Sequence, residues 1–346
     1  ARLVRLIGAA YVESPQLGGR ALAEVETFLR SATTAQWLSS VGPLGSRLAD
    51  WFLGQCQVDL LMASGLFGRA GQACYSRAKQ TAGVSLEERV EALTEARKAA
   101  GLNGGVLPGA MGESGLELEL ALAQLQLQLL RRCDAADAQR YGSGLLGMGE
   151  LFQACCELEA FDVALDMCAL SEDHSHETPT SVVIPLWERL LEQSARDRQL
   201  EFVLGQQLRK FSGRESLLPL APVVDLLEGP SLAEAVSSLG DEGLEDVLLG
   251  AGLDPLRLAQ VYLDRLDDGR LPDAAQGRCV RVVARLYTTV LDQALRVRPA
   301  GRLPLPRIQA DLLRLEAHPA SRRHPDLLVR PKDMLQRINA RLQTSF

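Results

Sequence analysis

The residues that could carry chemistry in this chain are few, and the densest group of them is a glycine-rich run. Gly142, Gly144 and Gly147 have the G-x-G-x-x-G spacing of a dinucleotide-binding loop, which needs a buried strand before it and a helix after it. The residues before it, 131–140, are mostly polar and do not resemble a strand. The run is therefore interpreted as a flexible turn between helices. A P-loop signature does not occur in the sequence.

A second group could in principle bind a metal ion. His174 and His176 lie between Asp173 and Glu177, so four possible ligands are adjacent. A metal site brings three or four ligands together from fixed spacings, and the other two histidines lie in a distant proline-rich stretch. The group is interpreted as a solvated loop between helices, and the chain is predicted to bind no metal and no cofactor.

The seven cysteines show no paired C-x-x-C spacing. Cys155 and Cys156 are adjacent on a predicted helix and so point about 100° apart. Five cysteines have apolar neighbours and are predicted to be small buried side chains, namely Cys56, Cys74, Cys155, Cys168 and Cys279. An odd number of cysteines in a chain this long indicates a reducing compartment. The chain has only four histidines, and none lies near a Ser or Cys in a pattern that suggests nucleophilic catalysis, so we predict that the protein is not an enzyme.

The elements that would position such residues are almost entirely amphipathic helices. In 85–100, Leu86, Val90 and Leu93 form an apolar stripe, Ser85 and Glu88 form a capping box, and Gly101 is expected to close the helix. Further helices are predicted near 2–13, 20–32, 44–64, 67–82, 115–133, 149–158, 160–170, 182–195, 198–211, 216–228, 231–239, 242–251, 255–267, 273–297, 304–317 and 332–344.

Three local patterns sharpen this prediction. The leucines from Leu116 to Leu122 alternate like a strand, but the run continues to Arg132 in strong helix formers, so we predict a helix that is apolar on more than one side. Asp254 and Pro255 form a helix start, with a cap acceptor before a proline at the first position. Trp187 lies on an apolar stripe and is predicted to pack in the core rather than to act as an exposed anchor.

Together these segments predict an all-α fold, an elongated irregular α-solenoid of stacked antiparallel helical hairpins. The connections are short, no repeat of constant length is present, and aromatic residues are only 5% of the chain. We divide the solenoid into 1–66, a central part 67–268, and basic C-terminal helices in 269–346. No apolar run approaches the ~20 residues of a membrane span, and no signal peptide is visible.

The charge of the chain is divided unevenly along its length. The net charge of −7 argues against general nucleic-acid binding, yet 278–346 contains 14 Lys/Arg and 5 Asp/Glu, a balance of +9. We predict that this basic region engages a partner, with these candidate residues: Arg278, Arg281, Arg285, Arg322 and Arg323. The alternative is that these arginines lie on solvated helix faces and contact nothing.

Ordered short patterns in the central part resemble one family. They are the stretches 68–79, 84–93, 151–161, Leu186-Trp-Glu-Arg-Leu-Leu191, 217–227 and Gly252-Leu-Asp-Pro-Leu-Arg-Leu-Ala-Gln-Val-Tyr262. In this order they resemble the C-terminal part of the large inner-ring scaffold nucleoporins, of the non-repetitive, wheat-germ-agglutinin-negative family. The resemblance covers roughly 67–266, whereas both ends, the glycine-rich 101–115 and the acidic 228–247 depart from it.

The resemblance implies a non-enzymatic scaffold subunit of the nuclear pore complex inner ring, at the nuclear envelope, that supports nucleocytoplasmic transport of protein and mRNA. It implies binding to linker nucleoporins through their short linear segments and to neighbouring scaffold subunits in a multi-copy assembly. In the family, membrane contact is assigned to an N-terminal β-propeller, so neither membrane nor direct nucleic-acid contact is expected of this part. Because Ala1 falls within a helical pattern, we expect a piece of a longer protein. The alternative function is a helical-repeat adaptor of a vesicle-coat or tethering complex.

Overall fold

The structure, a computed structural model, describes residues 57–63, 65–80, 83–107, 112–174, 180–239, 243–268, 271–296, 304–323 and 325–344. The chain divides into two compact units between residues 177 and 178. We call the described residues from 57 to 174 unit 1 and those from 180 to 344 unit 2, and we describe each by itself. The divisions drawn at 66/67 and 268/269 follow family match and charge, and they stay predictions.

The helices of unit 1 are α1 Gln57–Ala63, α2 Phe67–Ala78, α3 Leu86–Leu102, α4 Glu113–Leu130, α5 Ala135–Gly142, α6 Met148–Glu157 and α7 Phe161–Asp173. Those of unit 2 are α8 Thr180–Arg196, α9 Leu200–Phe211, α10 Leu220–Leu227, α11 Ala233–Ser237, α12 Gly243–Gly250, α13 Pro255–Asp267, α14 Asp273–Arg296, α15 Leu305–Ala317 and α16 Val329–Thr344. Two short 3-10 helices, Pro319–Arg323 and Pro325–Leu328, connect α15 to α16.

The prediction of an all-α fold is confirmed. Within the described residues the one β pairing is an isolated bridge between Val106 and Gly112. The predicted helices 2–13 and 20–32, and 44–64 up to residue 56, lie outside the described residues. One helix was missed: α5 begins after Asp134, whose carboxylate accepts hydrogen bonds from the backbone N–H groups of Ala136 and Asp137 at 2.9 Å. The polar composition of this short helix concealed it.

Unit 1 is built on tight packing between successive helices. α2 packs along α3, and α3 along α4, over a core rich in alanine, in which Ala78, Ala96 and Ala100 are fully buried. At Gly71, an added Cβ would lie 2.3 Å from the side chain of Leu107 and 3.2 Å from the Cβ of Ala99, so a larger residue here would force a neighbouring side chain to shift. Small residues therefore set the spacing of these helices.

The predicted start of α3 is confirmed, but its predicted end is wrong. The Ser85 hydroxyl accepts from the Glu88 N–H at 3.2 Å, and the Glu88 carboxylate accepts from the Ser85 N–H at 2.9 Å. At the other end, Gly101 is helical and α3 continues to Leu102. The helix ends just before Gly104 and Gly105, which have the left-handed backbone conformation, with φ of +78° and +84°.

α4 confirms the prediction of a helix that is apolar on more than one side. It packs against α3, α5, α6 and α7, and Leu116, Leu120 and Leu122 are all buried. A helix with neighbours on several sides needs apolar residues outside a single stripe. The alternation of leucines therefore reflects burial and not a strand.

Unit 2 has its own core, with the predicted Trp187 at its centre. Trp187 is fully buried, its ring nitrogen donates to the Leu217 carbonyl at 2.8 Å, and its ring meets that of Phe211 edge-on at 6.4 Å. α13 begins as predicted, because the Asp254 carboxylate accepts from the Leu256 N–H at 3.1 Å. α14, the longest helix, packs against α13 and α16. In the part of the chain that the structure describes, no helix is long and apolar enough to cross a membrane.

Candidate partner-binding surfaces

The predicted arginine face is the outer side of α14. Its inner side is buried, from Cys279 and Val280 through Tyr287 to Leu291, so the helix is fixed firmly in unit 2. Arg281 and Arg285 are exposed one helical turn apart on the opposite side. A rigid helix that presents charged groups at fixed spacing is a suitable base for recognition.

A cleft of about 610 Å³ lies along this face of α14. Its other wall is formed by the second 3-10 helix and the start of α16, with Asp326, Leu327 and Arg330. The α14 wall contributes eight residues, namely Arg281, Ala284, Arg285, Thr288, Thr289, Asp292, Gln293 and Arg296. The cleft is therefore lined by four arginines and two aspartates.

The four arginines differ in what they contact. Arg285 forms an ion pair with Asp246 of α12 at 2.6 Å, and Arg296 pairs with Asp292 one turn before it at 2.6 Å. Within the described residues, neither Arg281 nor Arg330 forms an ion pair. The positive charge of the cleft that is not balanced within unit 2 is thus concentrated at these two positions.

Arg278, also predicted to bind a partner, belongs instead to a cluster around Glu228. The Glu228 carboxylate is almost buried and accepts from Tyr262 at 2.8 Å and from Arg265 at 2.6 Å. Arg278 approaches the same carboxylate at 3.6 Å, and Arg265 also pairs with Asp225 at 2.7 Å. We call these five residues the Glu228 cluster. It connects the end of α10 to α13 and α14.

The electrostatics of the Glu228 cluster agree with a structural role. Burial raises the pKa of the Tyr262 hydroxyl far above its usual range, and the neighbouring Glu228 carboxylate raises it further. The phenol therefore stays protonated and donates to the carboxylate. A polar cluster whose charges are matched internally stabilises the packing of its helices and has little charge left for a ligand.

The remaining predicted arginines lie on the first 3-10 helix and do not line the cleft. Arg322 is exposed, whereas Arg323 pairs with Asp273 at 2.8 Å. Both partners of that pair are largely exposed, so the pair adds little to stability. The structure therefore brings Arg281 and Arg285 together and leaves Arg322 and Arg323 apart from them.

The glycine-rich run 142–149 follows helix α5 and not a strand, as the interpretation of a turn requires. Two buried side chains, those of Gln126 and Arg89, form hydrogen bonds to the backbone of this turn. The Gln126 amide donates to the carbonyls of Tyr141 and Gly144 at 2.6 and 2.7 Å and accepts from the Leu146 N–H at 3.1 Å. The Gly147 N–H donates to the Glu150 carboxylate. The Leu146 and Gly147 amides are thus already used and are not available to a phosphate.

Arg89 is the second side chain that holds this region, and the sequence analysis missed it. Its guanidinium is 2% exposed and donates to the carbonyls of Ala78 at 2.8 Å, Val84 at 3.3 Å and Ser143 at 3.4 Å. Ala78 is the last residue of α2 and Ser143 follows α5, so one cation meets the negative ends of two helices. The available signal was an arginine on the apolar side of α3, between Leu86 and Leu93.

A second cleft in unit 2, about 970 Å³, lies between the end of α8 and α11. Three arginines and three glutamates line it, among them Arg189 and Glu192, which pair at 3.7 Å. Its floor includes Leu200 and Leu232, both buried. Because its charges balance, this cleft offers no preference for a charged partner.

The other candidate chemical groups are placed as follows. His174 contacts the Leu170 carbonyl at 3.0 Å, while His176 lies outside the described residues, within which no group of three or more metal-ligating side chains occurs. Four of the five cysteines predicted to be buried are buried, and Cys56 lies outside the described residues. Burial raises the pKa of Cys74, Cys168 and Cys279 to about 11 and that of Cys155 to about 12, so these thiols stay protonated at neutral pH.

The class of the protein is thus an all-α stack of helical hairpins, and known structures share that fold. The chain is similar to the Nup170 CTD of Chaetomium thermophilum in complex with Nup145N, with a TM-score of 0.60 and 16% identity over 94% of this chain and 71% of that one. It is similar to Nup170 SOL, with a TM-score of 0.64 and 16% identity over 94% of this chain and 48% of that one. A third structure, of the Nup170 CTD of the same organism, has a TM-score of 0.62 and 14% identity over 95% of this chain and 73% of that one.

No protein-family model matches the chain, and no curated protein does. At 14–16% identity the likeness establishes the fold. The resemblance to inner-ring scaffold nucleoporins that the sequence patterns indicated is therefore confirmed at the level of fold.

Proposed function

We propose that this chain is a structural scaffold subunit of the nuclear pore complex inner ring. The observation that carries the proposal is the fold, which is similar to Nup170 structures over 94% of the chain. The sequence patterns in 67–266 point to the same family. The subunit acts by holding other proteins in place and without catalysis.

The partners follow from the same analogy. One of the similar structures is a complex of the Nup170 CTD with Nup145N, so we propose that this chain also binds a segment of another nucleoporin. Neighbouring scaffold subunits in a multi-copy assembly are further proposed partners. The chain would thereby support nucleocytoplasmic transport at the nuclear envelope, with no direct contact with nucleic acid or membrane.

The architecture supports this function on physical grounds. Stacked helical hairpins leave grooves between adjacent helices, and an extended or helical peptide segment can bind in such a groove. The 610 Å³ cleft on α14 is one groove of this kind. Ion pairs of unit 2, such as those of Arg265 with Asp225 and of Arg285 with Asp246, hold its helices together.

The proposal is tested by expressing the tagged chain in cells, imaging it, and identifying the proteins that co-purify with it. Staining of the nuclear rim together with enrichment of inner-ring subunits is the expected result. Enrichment of vesicle-coat or tethering subunits, without pore subunits, would contradict the proposal and support the alternative adaptor function. A Trp187→Ala variant, which we expect to destabilise unit 2, is the control for association that depends on the folded unit.

A further inference from the structure

We propose that the cleft between α14 and the start of α16 binds an acidic linear peptide, through Arg281 and Arg330 with support from Arg285. We call it the arginine cleft. It deepens the proposed function by naming the chemistry of one partner segment, and it rests on that function only for the assembly to which the partner belongs. The cleft could therefore fail to bind such a peptide while the scaffold function stands.

The first argument is the repulsion between neighbouring arginines of the cleft, which carboxylates of unit 2 offset only in part. Arg281 and Arg285 are like charges at i and i+4 on one helix, an arrangement that destabilises a helix. Asp246 compensates Arg285, but within the described residues no carboxylate compensates Arg281. Arg330 adds a third positive charge from the opposite wall. A local arrangement that opposes stability is expected where a ligand supplies the missing charge.

The second argument is the set of groups that the cleft offers to a ligand. The hydroxyls of Thr288 and Thr289 donate to the carbonyls of Ala284 and Arg285 in their own helix, at 2.7 and 3.1 Å. Their donor hydrogens are therefore used, and the guanidinium groups are the main donors left. Leu327 adds apolar surface beside them. Carboxylates with one adjacent aliphatic side chain match this combination.

The third argument concerns the size of the occupant. A cleft of about 610 Å³ accommodates a few side chains and not the broad face of a globular domain. Arg281 and Arg285 are one helical turn apart, so a peptide with acidic side chains at a similar spacing can meet both. The occupant is therefore a short segment of another protein.

The aspartates of the cleft favour a peptide over a nucleic acid. Asp292 and Asp326 line the same space, and a phosphate backbone with a charge at every nucleotide would meet both of them. A peptide can place its carboxylates at the arginines and uncharged residues at the aspartates. The net charge of −7 of the whole chain also disfavours a polyanion.

The test measures binding of fluorescein-labelled peptides to the full chain by anisotropy. The probes are an array of short peptides with two glutamates one helical turn apart and a leucine or phenylalanine between them, and the same peptides with glutamine for glutamate. We compare the wild-type chain with Arg281→Glu/Arg330→Glu, which alters the two arginines that have no internal partner. The matched control is Arg189→Glu/Arg196→Glu, which changes the charge of unit 2 equally but outside the arginine cleft.

We expect at least one glutamate peptide to bind, its glutamine counterpart to bind much more weakly, and binding to weaken with salt. In Arg281→Glu/Arg330→Glu the affinity should fall about tenfold or more, and in the control it should change by less than about twofold. Circular dichroism melting checks that both variants are folded.

Several outcomes would overturn the proposal. They are an equal loss in both double variants, no binding by any acidic peptide, or preferential binding of single-stranded DNA that the cleft variant abolishes. Self-association of the chain that depends on Arg281 and Arg330, seen by sedimentation, would instead assign the cleft to a second copy. If Arg281→Glu/Arg330→Glu binds the acidic peptides as tightly as the wild-type chain does, the proposal for the cleft fails. The proposed function stands in that case if the chain still co-purifies with pore subunits.

Discussion

Unit 1 and unit 2 satisfy their buried and half-buried arginines in different ways. In unit 1, Arg89 is buried without a carboxylate and donates to three backbone carbonyls at the ends of helices. In unit 2, Arg265 lies between two carboxylates, those of Glu228 and Asp225. The first arrangement requires the correct placement of the backbone, while the second requires acidic side chains from other helices.

The difference shows why the number of basic residues in the sequence overstates how many of them are available to bind a partner. The basic region from 278 to 346 carries an excess of nine positive charges, but Arg278, Arg285 and Arg323 are each paired with a carboxylate of unit 2 that lies before residue 278. Those carboxylates belong to the acidic part of the chain. Folding therefore neutralises much of the asymmetry that the sequence displays, and it leaves Arg281 and Arg330 unpaired within the described residues.

The largest effect is expected in the core of unit 2, from Trp187→Ala. This change removes a fully buried ring, its edge-on contact with Phe211 and its hydrogen bond to the Leu217 carbonyl. We expect a loss of about 3–5 kcal/mol in the free energy of unfolding of unit 2. Hydrogen exchange followed by mass spectrometry measures each unit separately. A variant with unchanged exchange in α8–α10 and lost partner binding would show that Trp187 is an interaction anchor.

The next largest effect is expected in unit 1, from Arg89→Met. The change leaves the carbonyls of Ala78 and Ser143 without their buried donor, so we expect a loss of about 2–3 kcal/mol, with faster exchange in α2, α3 and α5. The control is Arg97→Met on the same helix. Arg97 is half-exposed, and its ion pair with Glu117 is long at 3.9 Å and therefore weak. That control should change stability by less than about 0.5 kcal/mol. Equal effects of the two substitutions would refute the role of Arg89.

A smaller effect is expected from Glu228→Gln. Glutamine can still accept from Tyr262, but it loses the charge that attracts Arg265 and Arg278, while Asp225 remains as a partner of Arg265. We expect a loss of about 1–2 kcal/mol in unit 2 and no change in unit 1. Urea unfolding, followed by hydrogen exchange in each unit, measures this loss of stability. The control is Asp292→Asn, which removes the exposed ion pair with Arg296. Destabilisation of unit 1 would mean that the two units do not unfold separately.

The smallest effect is expected from mildly alkaline pH. Burial raises the pKa of the thiols of Cys74 and Cys168 from an ordinary value of 9.0 to about 11 and that of Cys155 to about 12, so unit 1 is most stable well below pH 9 and loses stability as the pH approaches 9 and rises towards 11. On that basis unit 1 loses on the order of 1 kcal/mol between pH 8 and pH 9. Urea midpoints across this range measure the loss. Cys74→Ala should flatten the dependence, and an identical slope in that variant would contradict its cause.

The sequence allowed the helices and most of their limits to be predicted, because apolar periodicity and local caps determine both. The capping box at Ser85, the proline start at Pro255 and the burial of Trp187 were all predicted correctly. These features depend on residues close together in the chain. The helix end was wrongly predicted at Gly101 because the glycines three and four residues further on, Gly104 and Gly105, can end the helix equally well.

The arrangement of charges at the site could not be predicted in the same way. The pairs between Arg285 and Asp246 and between Arg278 and Glu228 join residues about 40–50 positions apart, which only the packing of the helices brings together. Arg330 was missed for the same reason, since its contribution to the cleft depends on how α16 lies against α14. The buried contacts of Arg89 and Gln126 likewise depend on a turn that is distant in sequence.

The most direct test of this account is the reactivity of individual arginines in the folded chain. Phenylglyoxal modification followed by peptide mass spectrometry gives a rate for each guanidinium group. We predict fast modification of Arg281 and Arg330, slow modification of Arg265 and Arg89, and protection of Arg281 and Arg330 by a bound acidic peptide. Similar rates at all four arginines, or fast modification of Arg89, would contradict the division between structural and available arginines.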